Sequence, residues 1–367
     1  MKKLIIFIVT ISLFCCGFSV NALENSATAA IVINGATRSI IYSKNIDAKL
    51  PMASTTKIMT ALILAEQNAL DTNVTVTAPM VAVEGSSMGL CAGDTVTYND
   101  LLYGILLCSG NDAANTVAIA LCETVEKFAE VMNNKAKELG LKNTHFVTPS
   151  GLDADGHYTT AHDLALLASY ALENRVFKQV ASTKSITLNY GGENHYLSNH
   201  NKMLKIYDGA IGVKTGYTST AGRCLVSAAE RNGTLIIAVT LNDRNDWTDH
   251  KILLDYGFEN SQSVLTDYSC PSTIECIGSK NNEIKISSQT AVIGLSDKDK
   301  LEYITYLPKF VYADINKSDK IGYTDVFSNG HKILTLDIIA DENAVMAANS
   351  TVYSKVFKRF LILLRGL

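Results

Sequence analysis

The chain has 367 residues, of which 47% are apolar and 19% charged, with a formal net charge of −4. That length accommodates about two domains of the usual ~100–200 residues, and the apolar content supplies a sizeable core. The composition excludes a disordered or fibrous chain, and the absence of a basic excess excludes a nucleic-acid partner.

At the N-terminus, Lys2 and Lys3 precede an apolar run from Leu4 to Phe14, and Val20-Asn21-Ala22 offers a cleavage site ending in a small residue. This is the pattern of a secretory signal peptide over residues 1–22, and it exports the rest of the chain. An uncleaved N-terminal helix and, through Cys15 and Cys16, a lipoprotein are the alternatives. Ala29 to Ile33 then reads as a strand, Asn34-Gly35 as a turn, and Ser39 to Tyr42 as the returning strand. From Ser54 the apolar residues Ile58, Met59, Ala61, Leu62 and Leu64 recur at helical intervals. Further helices are expected over Asp100 to Cys108, Asp112 to Leu139 (one or two), and Ala161 to Leu172. Cys224 to Ala229 and Thr234 to Leu241 are strand-like around an Asn232-Gly233 turn, and His250 to Tyr256 reads as a helix. Strands at both ends of this stretch with helices between them predict an α+β domain over 23–260, an antiparallel sheet packed with helices.

Beyond about residue 261 the texture is strand-rich and broken by turns. Glu283 to Ser287, Ala291 to Gly294, Phe310 to Ala313 and Lys332 to Ile339 are short β candidates, which predicts a small all-β domain over 261–347. In the last stretch, 348–367, Tyr353, Val356, Phe357, Phe360 and Leu364 recur at helical spacing beside Lys355, Lys358, Arg359 and Arg365. A basic amphipathic helix of this kind suits a membrane surface, and docking on its own protein is the alternative. No two cysteines form a Cys-x-x-Cys pair, so the spacing does not suggest zinc. Cys270 and Cys276 are close enough to close a small loop, or are simply unpaired thiols.

Three short motifs carry the chemistry. In Ser54-Thr55-Thr56-Lys57 the serine and lysine lie one helical turn apart on one face. A lysine amine can take the serine proton only when neutral, so the site must depress its pKa by burial or by a second cation. The helix start also offers backbone N–H groups to a developing oxyanion. Alone, Ser-x-x-Lys arises by chance about once or twice in a chain this long. In Ser109-Gly110-Asn111, a hydroxyl can relay a proton and an amide can hold a substrate peptide or Lys57; read alone, it is a helix-capping turn. In Lys214-Thr215-Gly216, expected just before a strand, Lys214 supplies the second cation. Lys214 and the Thr215 hydroxyl suit a substrate carboxylate, and Gly216 lets a substrate backbone lie along a strand edge. The three together, in this order, resemble the Ser-x-x-Lys, Ser-Asp-Asn and Lys-Thr-Gly signature of penicillin-binding proteins and class A β-lactamases, with Gly110 where the class A enzymes have Asp.

The surrounding residues extend the match. Pro51 to Ala61, Leu101-Leu102-Tyr103-Gly104 with Ser109 to Ala114, Pro149 to Asp153 with Gly156-His157-Tyr158, and Gly212 to Thr218 resemble the low-molecular-mass penicillin-binding proteins, the serine-type D-alanyl-D-alanine carboxypeptidases. The resemblance covers roughly residues 27 to 258, and more loosely the β-rich part and the tail. It implies a penicillin-binding, β-lactamase-like transpeptidase fold and an exported enzyme on the outer face of the bacterial membrane. The implied substrate is a peptidoglycan stem peptide ending in D-Ala-D-Ala, and β-lactams are the implied covalent inhibitors. Ser54 is then the nucleophile, Lys57 the base and Ser109 a proton relay, with Asn111 beside them. The N–H groups of Ser54 and Tyr217 form the oxyanion hole, and Lys214, Thr215 and Gly216 bind substrate. Arg244 is a further candidate for the carboxylate. A β-lactamase or a D,D-endopeptidase would share the nucleophile. The only candidate for a lactamase-type deacylating carboxylate is Glu84, better read as a solvated loop residue. His157 and His162 read as loop and helix-surface residues, so no metal or organic cofactor is expected.

Overall fold

The computed structural model describes residues 23–266, 268 and 270–347. The expected signal peptide and the expected basic tail lie outside the described residues.

The chain opens on the expected hairpin, β1 (Ala29–Asn34) and β2 (Ile40–Lys44). Asn34 sets the turn, its Oδ1 accepting from the N–H groups of Ala36 and Thr37 at 3.0 and 3.1 Å. The helix expected from Ser54 begins more tightly, as a 3-10 turn at Ala53–Thr56, and continues as α1 (Lys57–Ala65). Every residue of α1 is buried, so it is the central helix of its layer. Next come β3 (Asn73–Thr75), α2 (Ala78–Val81) and β4 (Thr95–Thr97), with β3 and β4 paired. Then α3 (Tyr98–Leu106) starts on a capping box, in which Thr97 and Asp100 each accept from the other's backbone N–H. The region from Asp112 to Leu139 holds two helices, α4 (Asn111–Cys122) and α5 (Val125–Glu138), the second capped by Thr124.

The expected helix α6 (Ala161–Glu173) is followed by elements that the sequence reading did not anticipate. These are α7 (Arg175–Ser182), the hairpin β5 (Ser185–Tyr190) with β6 (Glu193–Ser198), and α8 (Met203–Ile206). Asn174 ends α6 and caps α7 through its side chain, a direct helix-to-helix corner. The chain returns to the sheet as β7 (Ala210–Thr218), β8 (Gly222–Arg231) and β9 (Thr234–Leu241), and α9 (Asp246–Glu259) follows. Lys214, Thr215 and Gly216 thus lie inside β7, not ahead of a strand. Glycines at 212 and 216 interrupt the apolar alternation that would have revealed it.

The five strands run in the order β2-β1-β9-β8-β7, all antiparallel. Both faces are covered. Ile31, Ile33, Val226, Ala228, Ile237 and Val239 face the core shared with α1, α3, α4 and α6, while Val32, Leu225, Ala229, Ile236 and Ala238 face Leu253 and Leu254 of α9. This is the two-residue period of a sheet buried on both sides. Only β7 at one end and β2 at the other have a free edge.

The remaining described residues are strands without a helix: β10 (Gln262–Leu265), β11 (Thr273–Ile277), β12 (Glu283–Ser288), β13 (Val292–Leu295), β14 (Leu301–Tyr306), β15 (Phe310–Tyr312), β16 (Lys320–Ser328) and β17 (His331–Ala340). Six form a sheet in the order β14-β16-β17-β12-β11-β15. Its small core includes Ile274, Cys276, Ile284, Ile286 and Ile338. Cys276 is buried there and Cys270 packs at the edge, both as free thiols, so the loop they could close is not bridged. Asn34 Nδ2 donates to the Gly294 carbonyl at 2.9 Å, and Lys298 Nζ to the Ile40 carbonyl at 2.8 Å, fastening the first hairpin to this part of the chain.

Candidate active site

Ser54 sits in the 3-10 turn that leads into α1, so Lys57 on the first turn of the helix reaches back to it. Lys57 Nζ lies 3.2 Å from Ser54 Oγ, and it donates to Asn111 Oδ1 and to the Ser150 carbonyl, each at 2.6 Å. A neutral amine has two N–H donors and one lone pair. The two short acceptors take the donors and leave the lone pair for the serine proton. Burial is the largest influence on this amine, and the nearby Lys214 cation adds to it; together they hold the Lys57 pKa well below its ordinary value against the opposing carboxylate of Asp112.

Lys214 is also buried, and its Nζ donates to the Thr215 carbonyl at 2.8 Å. Burial pulls its pKa down to about 7. Repulsion between the two amines acts on both, so protonating one disfavours protonating the other, and burial adds to this at each.

Asn111 opens α4 directly after Ser109 and Gly110. Its side chain bridges the site, accepting from Lys57 and donating through Nδ2 to the Glu84 carbonyl at 2.6 Å. Ser109 is buried in a left-handed backbone conformation, with φ of 62°. The free edge of β7 closes the other wall. A Cβ on Gly216 would fall 3.0 Å from the backbone nitrogens of both Ser54 and Thr55. The glycine therefore lets the strand approach the serine turn, a requirement separate from the expected room for substrate.

These walls enclose a cleft of about 520 Å³ lined by Ser54, Ser86, Ser109, His200, Thr215, Gly216, Tyr217, Arg223, Asp246 and Trp247. Of the residues that sequence reading brought forward, Ser54, Ser109, Thr215, Gly216 and Tyr217 line this cleft; Lys57 joins Ser54 to Asn111 by hydrogen bonds, and the buried Lys214 is near enough to act on the Lys57 charge. Ser86, His200, Arg223, Asp246 and Trp247 were missed. Arg223 had a usable signal, since the β7–β8 hairpin register sets it opposite Tyr217. His200 had only its place in a polar run after β6. Arg244, by contrast, is exposed and does not line the cleft; Arg223 does, 3.4 Å from Asp246. Glu84 contributes a carbonyl to Asn111, while its carboxylate is exposed. His157 lies in a loop, as expected, but it is buried, between Val147 and Thr56. Among the described residues no group of three or more His, Cys, Asp or Glu side chains could hold a metal ion.

A serine hydroxyl beside a buried amine, on an antiparallel sheet wrapped by helices, defines a penicillin-binding serine peptidase. A sequence profile of D-alanyl-D-alanine carboxypeptidases matches residues 17–245. The chain is 35% identical over 260 residues to the D-alanyl-D-alanine carboxypeptidase DacF of Bacillus subtilis, covering 67% of this chain and 66% of that one, just under two thirds of the relative's length. It is 32% identical over 348 residues to DacC of Escherichia coli, covering 89% of this chain and 86% of that one. Among solved structures, the Streptomyces K15 DD-transpeptidase superposes with a TM-score of 0.61 at 35% identity, covering 64% of this chain and 98% of that one. DacD from Francisella tularensis superposes with a TM-score of 0.62 at 26% identity, covering 95% and 97%. The chain belongs to the D-alanyl-D-alanine carboxypeptidase family.

The depression of both amines is open to measurement. Nitrogen NMR of the lysine side chains should show Lys214 titrating near pH 7 and Lys57 well below an ordinary lysine. In Lys214→Gln the lost cation should raise the Lys57 pKa, because protonation no longer meets a like charge. An unchanged Lys57 titration in that variant would show that burial alone sets it.

Proposed function

We propose that this protein is a serine D-Ala-D-Ala carboxypeptidase that removes the terminal D-alanine from peptidoglycan stem peptides through an acyl-enzyme. The observation that carries the mechanism is the Lys57 amine, 3.2 Å from Ser54 Oγ, with both its donors already occupied. Lys57 takes the serine proton as Oγ bonds to the carbonyl carbon of the penultimate D-alanine. The N–H groups of Ser54 and Tyr217 receive the oxyanion; the close fit of Gly216 against Ser54 supports their convergence. Ser109 passes a proton to the departing nitrogen as the C–N bond breaks, and Asn111 holds Lys57 in place. Water then attacks the ester and releases the shortened peptide. Lys214 and Thr215 hold the terminal carboxylate, and Arg223 takes the place suggested for Arg244.

A β-lactam would acylate Ser54 in the same way. Asp246 is the only carboxylate among the described cleft residues, and it is paired with Arg223, so no free carboxylate stands ready to clear a penicillin adduct. That favours a long-lived penicilloyl-enzyme over a β-lactamase. We assign 23–260 as the catalytic domain, 261–347 as a β-rich domain and 348–367 as a tail that rests on the outer face of the membrane. The tail's basic amphipathic sequence supports this assignment.

Fluorescent penicillin should label the exported chain covalently and persistently, and Ser54→Ala should abolish the label; labelling that survives the substitution would move the nucleophile elsewhere. Arg223→Gln should raise KM for a D-Ala-D-Ala peptide by about tenfold, the worth of one charge-assisted contact. An unchanged KM would remove Arg223 from the carboxylate site. Chains ending at residue 347 should fail to sediment with anionic vesicles that capture the full-length protein; equal sedimentation would separate the tail from membrane binding.

A further inference from the structure

The oxyanion chemistry needs the Ser54 N–H aimed at one point, yet the preceding residue holds an unfavourable conformation. Ala53 has φ of 47°, in the left-handed region that a Cβ disfavours. Its neighbours hold it there. The Ala53 carbonyl accepts from Thr56 Oγ1 at 2.8 Å, and Thr56 Oγ1 lies 2.8 Å from His157 Nε2. On the other side of the ring the Val147 N–H donates to His157 Nδ1 at 2.9 Å. An accepting Nδ1 places the proton of a neutral imidazole on Nε2. Burial, with His145 adding to it, pushes the His157 pKa down to about 4, so the ring is neutral. The hydrogen bonds therefore run one way, from Val147 N–H to Nδ1, from Nε2–H to Thr56 Oγ1, and from Oγ1–H to the Ala53 carbonyl.

The Ala53 carbonyl and the Ser54 N–H belong to one planar peptide group, so fixing the direction of the oxygen fixes the direction of the N–H. Gly151 packs against the same carbonyl; with φ of 85°, it occupies a position where a Cβ would overlap the Ala53 oxygen. Phe146 meets the His157 ring edge-on at 6.1 Å and completes its enclosure.

We propose that His157 is a positioning residue for acyl transfer: through Thr56 Oγ1 and the Ala53 carbonyl, its Nε2–H aims the Ser54 N–H at the oxyanion. It contacts neither substrate nor Ser54 Oγ. The inference rests on the reading of Ser54 as nucleophile and its N–H as an oxyanion donor.

His157→Gln and His157→Asn separate the two sides of the ring. The longer glutamine amide reaches Thr56 as a donor in place of Nε2. The asparagine oxygen replaces Nδ1 toward Val147 and leaves Thr56 without its donor. Each variant keeps one of the two ring hydrogen bonds, so a purely structural role lowers Tm in both and slows acylation in neither, or in both alike. Under saturating fluorescent penicillin, His157→Asn should acylate about tenfold more slowly than the wild type. That is less than the ~100–1,000-fold effect of removing an oxyanion donor outright. The half-saturating concentration and the final labelled fraction should be unchanged. His157→Gln should recover most of the rate. Thr56→Val, which keeps the side-chain volume, should match His157→Asn, and the double variant should lose little more. Thr56→Val also carries the test if the asparagine variant does not fold. Equal rates in the Gln and Asn variants, or wild-type acylation in Thr56→Val, would overturn the proposal. Absence of labelling in the wild type would instead overturn the assignment of Ser54, so the two failures are told apart.

Discussion

Two lysine side chains share one water-poor site, and that constraint organises the cleft. Taking an ammonium out of water costs several kcal/mol even after local relaxation, and a second one nearby adds repulsion. Burial and the Lys214 charge both favour the neutral form of Lys57. Asn111 and the Ser150 carbonyl then fix its amine by accepting its hydrogens. A lysine exposed to water would remain protonated at neutral pH and could not serve as a base. Burial thus converts a common surface cation into the proton acceptor beside Ser54.

Holding those groups together requires segments that start far apart in the chain. The turn and helix supply Ser54 and Lys57, the α3–α4 junction supplies Ser109 and Asn111, and the edge strand β7 supplies Lys214 and Thr215. Asp112 ties in a fourth segment. Its carboxylate accepts from Ser87 Oγ at 2.6 Å and from the N–H groups of Met88, Gly89 and Leu90 at 3.0 to 3.1 Å. The loop fixed this way carries Ser86 into the cleft and Glu84 to Asn111. Left-handed backbone occurs at Ala53, beside the nucleophile, and at Ser109. Strain of this kind persists where surrounding contacts over-determine it, as they do at functional sites.

Most elements that build the catalytic fold were legible because their faces are strongly periodic. The run after Ser54 and the run from Ala161 to Leu172 are helical by their apolar spacing, and both are found as helices. The Asn34-Gly35 and Asn232-Gly233 turns mark hairpins that the structure contains. The hairpin of β5 and β6 was passed over although Ile186, Leu188 and Tyr190 alternate with polar residues ahead of Gly191-Gly192; its second strand is the more polar and less regular of the two. In the β-rich part, β14 alternates between half-buried and exposed residues, and β16 carries charged and glycine residues. Such short, mixed strands are assigned by their partners across the sheet more than by their own residues.

The amino-acid sequence by itself determined the family, the order of the three motifs and the identity of the nucleophile candidate, because those depend on residue types at short spacing. It also marked two lysines for one site. Only the folded chain decided that both are depressed, because that depends on burial and, for Lys57, on the charge of a residue distant in sequence. Tertiary structure likewise brought Arg223 into the cleft and left Arg244 in water, since strand register sets which side chain meets Tyr217. It gave Gly216 a packing role against the serine turn and buried the loop residue His157 in hydrogen-bond contact with Thr56 of that turn. Distances between remote segments are set by packing, and no local pattern encodes them.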